Sequence, residues 1–114
     1  MATVKKPDEL YRGDTWVKQW QLKIATVPID LTGASARLYI RDKKKALVCE
    51  ATTANAKITI TELTGTVSAN VPAAETELFK IEDHKYDLEI THADGTVKTY
   101  VSNTLKILED QTYD

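Results

Sequence analysis

A chain of 114 residues is long enough for one domain that buries a core without help from disulfides or metal. Its 15 basic and 17 acidic residues nearly cancel, which removes the basic footprint expected of a nucleic-acid binder. A single cysteine, Cys49, excludes an intrachain disulfide scaffold and fits folding in a reducing cytoplasm; no run of about 20 apolar residues is present to span a membrane, and no apolar stretch follows the first lysines as a secretory signal would.

The dominant hydrophobic period is two, the period of strands. Over 15–24, Trp16, Trp20, Leu22 and Ile24 share one face of a long predicted strand, with Lys18 the one polar intruder. Pro28 and Gly33 bound a connection, since proline cannot donate to a central ladder and glycine accepts a positive φ. Over 34–41, Ala34, Ala36, Leu38 and Ile40 alternate with Ser35, Arg37, Tyr39 and Arg41, the pattern of a half-buried antiparallel strand. The run "DKKK" turns the chain, and 46–52 pairs back with weaker alternation. "KITITELTGTVSANVP" is a hairpin: Ile58 and Ile60, a turn at Gly65, then Val67, Ala69 and Val71. The one predicted helix is 72–79, about two turns long, with Pro72 at its first position and Leu78 and Phe79 offered to the core. Tyr86, Leu88 and Ile90 alternate with Asp87 and Glu89, Asp94-Gly95 makes a hairpin turn, and 97–108 completes the last pair with a bulge expected at Asn103.

Seven or eight short strands and one short helix predict an all-β fold, an immunoglobulin-like antiparallel β-sandwich, with a small barrel as the alternative. The sandwich is a single domain over 1–114 with loose ends at about 1–7 and 111–114.

Candidate sites are weighed against this frame. Arg12-Gly13-Asp14 spells the tripeptide that integrin-binding ligands display on protruding loops, but here it leads directly into the Trp16 strand. Asp14 is expected to accept backbone hydrogen bonds in a tight turn. His84 and His92 read as solvated loop residues, because metal sites need three or four converging ligands and no zinc or calcium spacing is present. Asp87 and Glu89 alternate with apolar neighbours and face water, which leaves no carboxylate pair for acid and base work. Cys49 has no histidine near it in sequence and reads as a packed thiol, and Lys43, Lys44 and Lys45 as a solvated hairpin tip. No nucleophile elbow, P-loop or dinucleotide fingerprint occurs. The expectation is therefore no catalytic residue, no metal and no cofactor.

The candidate protein-binding residues are Arg37, Tyr39, Arg41 and Tyr100. Parity places all four on outward faces of their strands, Tyr100 beside Lys98, and tyrosine and arginine are the residue types enriched at interface hot spots.

The ordered blocks "YRGDTW", "PIDLTGASARLYIRD", "ITITELTGTVSANVPAAETELF" and "YDLEITHADGTVKTYVSNTLKIL" cover nearly the whole chain. In that order the sequence resembles the small β-sandwich structural proteins of tailed bacteriophages and prophages, including the N-terminal domains of baseplate upper proteins. The resemblance implies a non-enzymatic virion component of the tail or baseplate, made in the bacterial cytoplasm and incorporated into the particle. Its expected partners are other virion proteins or further copies of itself, with no nucleic acid, membrane or small-molecule substrate. The alternatives are a capsid decoration protein and a carbohydrate-binding, adhesin-like β-sandwich module. The last would show aromatic side chains on a shallow platform, whereas Trp16 and Trp20 share the apolar face of one predicted strand.

Overall fold

The computed structural model describes residues 7–109. Two sheets face each other. The larger has the strand order β1-β10-β9-β5-β6, built from β1 (Asp8–Tyr11), β5 (Ser35–Arg41), β6 (Leu47–Thr52), β9 (Asp83–Thr91) and β10 (Val97–Leu108). The smaller has the order β2-β8-β7, from β2 (Trp16–Gln21), β7 (Ile58–Thr61) and β8 (Thr66–Val71). A two-stranded ribbon, β3 (Lys23–Ile24) with β4 (Val27–Pro28), and one helical turn, α1 (Ala73–Thr76), complete the described residues. The chain is thus an all-β, immunoglobulin-like sandwich, and its sheets keep separate edges instead of closing into a barrel. All strand pairs are antiparallel except β1 with β10, which run parallel.

The core follows from in-register alternation. Ala36, Leu38 and Ile40 of β5 lie opposite Ile90, Leu88 and Tyr86 of β9, and all six are buried. Across the sandwich, Trp16 pairs with Val71 and Trp20 with Val67, so their rings meet the Tyr86 ring from the facing sheet at 5.4 and 6.0 Å. Leu31 and Phe79 are buried as well and belong to the same apolar cluster. Burying an aliphatic or aromatic side chain stabilises by roughly 1.5 to 3 kcal/mol, so this shared layer between the sheets dominates the stability of the fold.

Several local expectations are corrected. The strand expected over 15–24 ends at Gln21: the Leu22 N–H bonds the Gly65 carbonyl at 2.8 Å, and the chain then leaves the sheet as the β3–β4 ribbon, turned by Ala25 at φ 56°. Ile24 is consequently 69% exposed although it continues the apolar alternation. Pro28 sits inside β4 and not in a loop, which a two-stranded ribbon tolerates because every strand is an edge. The expected two-turn helix is one turn, with Pro72 as its extended N-cap, and it delivers Phe79 to the core while Leu78 points to solvent. The β10 bulge falls at Tyr100, between Thr99 and Val101, and not at Asn103. Apart from Pro7, the loose ends expected at 1–7 and 111–114 lie outside the described residues.

Candidate functional site

The outer face of the five-stranded sheet carries Arg37, Tyr39 and Arg41 on β5, which lies between β9 and β6. Residues two apart on a strand stand on one side, so the two arginines bracket the tyrosine. The Arg37 Nη1 donates to Tyr39 Oη at 3.0 Å, and the guanidinium carbons of Arg37 and Arg41 lie 5.8 and 5.7 Å from the ring centroid. Such cation–π contacts are worth roughly 0.5 to 1 kcal/mol each at exposed sites, enough to bias the side-chain rotamers. The sheet register sets Glu50 and Asp87 on either side of Tyr39 and Glu89 beside Arg37. Further out, Asp87 accepts from Ser102 Oγ at 2.5 Å, and Lys85 Nζ donates to Thr104 Oγ1 at 3.0 Å. The result is a bonded, charge-mixed face with a half-buried tyrosine at its centre.

Tyr100 does not join it. The bulge adds a residue to β10, so that Tyr100 and Val101 both face the buried cluster and pack against it. The Tyr100 hydroxyl lies 2.8 Å from His92 Nε2, and Lys98 Nζ stands 5.1 Å from its ring centroid. The outward position that parity assigns to Tyr100 is therefore corrected: the sequence-derived site comprises Arg37, Tyr39 and Arg41 on one face and Tyr100 on the other side of the sheet.

The Arg12-Gly13-Asp14 turn is tethered, but through backbone. The Asp14 N–H bonds the Tyr11 carbonyl at 3.0 Å, the Arg12 N–H bonds the Leu108 carbonyl at 2.9 Å, and the Asp14 carbonyl accepts the buried Thr76 hydroxyl at 2.7 Å. Among the described residues the Asp14 carboxylate forms no hydrogen bond, contrary to expectation. Asp14→Ala should accordingly change stability by less than about 0.5 kcal/mol. Thr76→Val, which leaves that carbonyl unpaired, should cost about 1 to 3 kcal/mol in urea unfolding. Equal losses from the two variants would contradict this division of labour.

Other candidates resolve as structural groups. His84 is fully buried in β9 and not in a solvated loop: its Nδ1 lies 3.0 Å from the Glu82 carbonyl, its ring is 5.5 Å from Phe79, and among the described residues its Nε2 has no hydrogen-bond partner. His92 is half-buried against Tyr100. Cys49 is buried beside Glu75, and burial, reinforced by that carboxylate, pushes its thiol up to about 11, so it stays protonated at neutral pH. Glu75 is held in turn by Lys57 Nζ at 2.6 Å. Lys43, Lys44 and Lys45 are exposed at a tip organised by Asp42, whose Oδ1 accepts the N–H groups of Lys44 and Ala46. Those bonds, that of Ala46 first, hold the Asp42 carboxyl below the usual range. Among the described residues no group of three or more His, Cys, Asp or Glu side chains could hold a metal ion, and no helix is long and apolar enough to cross a membrane.

A further polar cluster escaped the sequence reading. Lys18, the polar intruder on the Trp16 strand, reaches Asp8 of β1 at 3.1 Å, and the other Asp8 oxygen accepts the Tyr86 hydroxyl at 2.5 Å. The Asn103 and Trp20 side chains also lie within hydrogen-bonding reach of that hydroxyl; burial, then the Asp8 bond, raises the phenol well above its ordinary range. The only hint in the sequence was a lysine where an apolar residue was due.

Sheet order, register and core together define a protein of the immunoglobulin-like β-sandwich class. No protein-family model matches the chain, and no curated protein matches it. Among solved structures it is similar to CopC from Methylosinus trichosporium OB3b, with a TM-score of 0.57 at 9% identity, over 96% of this chain and 91% of that one. At that identity the likeness speaks to the fold alone.

Proposed function

We propose that this chain is a non-enzymatic structural protein of a tailed bacteriophage or prophage, a tail- or baseplate-associated module whose activity is assembly with other virion proteins or with copies of itself. Support comes from the ordered sequence blocks, which resemble that class, and from a sandwich whose core ties both sheets into one scaffold. The observation that carries the assembly reading is the Arg37–Tyr39–Arg41 row. A tyrosine held between two arginines on a sheet face presents ring area and guanidinium donors with little side-chain entropy left to lose.

Tyr39→Ala combined with Arg41→Ala tests it. Both side chains lie on the solvent side of the sheet, so far-UV circular dichroism and melting should remain close to those of the parent. Self-association, or incorporation into particles, should weaken by at least about 2 kcal/mol if the row is a hot spot. Normal assembly by this double variant would eliminate the outer face as the docking surface. Fractionation of particles into tails and capsids would separate a tail module from a capsid decoration protein.

A further inference from the structure

The outer face of the five-stranded sheet is charged in rows. On β5 the outward side chains are Ser35, Arg37, Tyr39 and Arg41, and the register sets beside them, on β9, Thr91, Glu89, Asp87 and Lys85 in turn. Arg37, Arg41, Asp87 and Lys85 are exposed, and Tyr39 and Glu89 are half-buried. The middle of the face therefore holds a guanidinium and a phenol on one strand beside two carboxylates on the next. A surface with opposite groups side by side complements a copy of itself.

On the assembly reading above, we infer that this face docks a second copy of the chain, sheet against sheet, about a two-fold axis running along the strands between β5 and β9. Rotation about that axis lays each β5 residue over the β9 residue that neighbours it in the register, now on the other chain. Arg37 meets the partner's Glu89, Tyr39 turns its hydroxyl to the partner's Asp87, and both contacts occur twice because such an interface is isologous. Among the described residues only Nη1 of Arg37 is engaged, by Tyr39, and a guanidinium has five N–H donors, so two of the others can hold a facing carboxylate. An axis along β5 itself would set Arg37 on the partner's Arg37, and an axis across β5 at Tyr39 would set it on the partner's Arg41. Charge therefore selects the axis between the strands. Twisted sheets packed face to face cross at about 30°, so the facing pairs hold at the middle and diverge toward the ends. At one end the rotation brings Arg41 toward the partner's Lys85, whose Nζ is drawn aside to Thr104 Oγ1 at 3.0 Å. That like-charged end makes the dimer weak and sensitive to salt. A different protein of uniform surface charge is the rival occupant, and it would meet one attractive row and one repulsive row.

Sedimentation of the full chain, up to about 1 mM, should show a monomer–dimer equilibrium that weakens several-fold as sodium chloride is raised. Arg37→Glu and Glu89→Arg should each weaken it by at least about tenfold, since each sets like charges face to face. An equimolar mixture of these two variants should pair again as a heterodimer, because every facing position then holds opposite charges. Lys85→Glu, which removes the repulsion from Arg41, should tighten the dimer several-fold. Circular dichroism checks the fold of each variant; if Glu89→Arg does not fold, the loss in Arg37→Glu and the gain in Lys85→Glu decide the question together. A chain that stays monomeric throughout overturns the inference. In that case, failure of the Tyr39→Ala, Arg41→Ala double variant to enter particles would keep the assembly reading, with another protein as the partner. A dimer that these substitutions leave unaltered, or two variants whose mixture does not pair, would equally overturn this face and axis.

Discussion

Replacing Phe79 with alanine is expected to remove about 3 to 5 kcal/mol of stability, the usual cost of deleting a buried aromatic ring. The ring is 2% exposed and lies 5.5 Å from the equally buried imidazole of His84. Two terms add. The apolar surface of the ring is lost, and the space it leaves adjoins a histidine whose Nε2 has no hydrogen-bond partner among the described residues. The neighbouring Leu78 is the internal control: it is 79% exposed, so Leu78→Ala should change stability by less than about 0.5 kcal/mol. Guanidinium unfolding of the two variants decides the matter. A similar midpoint shift for both would mean that α1 does not set which of these adjacent side chains enters the core.

Gly65→Ala is expected to be comparably damaging, by about 2 to 4 kcal/mol, for a reason unrelated to side-chain burial. Gly65 has φ +64°, and a Cβ there would lie 2.7 Å from the carbonyl oxygens of both Leu22 and Ile29 and 3.0 Å from the Ile29 nitrogen. These backbone atoms cannot rotate away as a flexible side chain could. They are tied together, because Leu22 donates to the Gly65 carbonyl and Ile29 donates to the Leu22 carbonyl. Relieving the clash would therefore push the β3–β4 ribbon off the β7–β8 turn. Gly95→Ala provides the comparison, since that glycine also has positive φ, +90°, but nothing within 4 Å of an added Cβ. It should lose only about 1 to 2 kcal/mol of conformational strain. Thermal melts giving equal losses at the two positions would show that close approach at Gly65 contributes nothing.

Where a strand obeys strict alternation and pairs with an equally regular neighbour, its buried face was readable in advance. Ala36, Leu38 and Ile40 are the clearest case, followed by Val67, Ala69 and Val71. Alternation fails at features that change the chain path without changing the pattern. Leu22 and Ile24 continue the period of Trp16 and Trp20, yet a hydrogen bond from Leu22 to Gly65 ends the sheet between them. At Tyr100 the extra residue of the bulge reverses parity, and a tyrosine expected among the outward arginines joins the buried cluster. His84 shows the opposite error. Its spacing from Tyr86, Leu88 and Ile90 places it inside, but its polarity suggested a loop. Lys18 looked anomalous because its partner, Asp8, belongs to a different strand of the opposite sheet.

The parallel pairing of β1 with β10 has a kinetic consequence. Asp8 through Tyr11 leave the ribosome well before their backbone partners, Leu105 through Leu108. During synthesis Leu10 has no β10 to join until the strands between them have emerged, so the five-stranded sheet receives β1 after the β5–β9 and β7–β8 pairs can already exist. Contacts of such long sequence separation are slow to close. Until they close, the nascent domain displays the far edge of β10, the last seam to be sewn, and a second chain arriving at that moment meets an unoccupied strand position that the finished protein conceals.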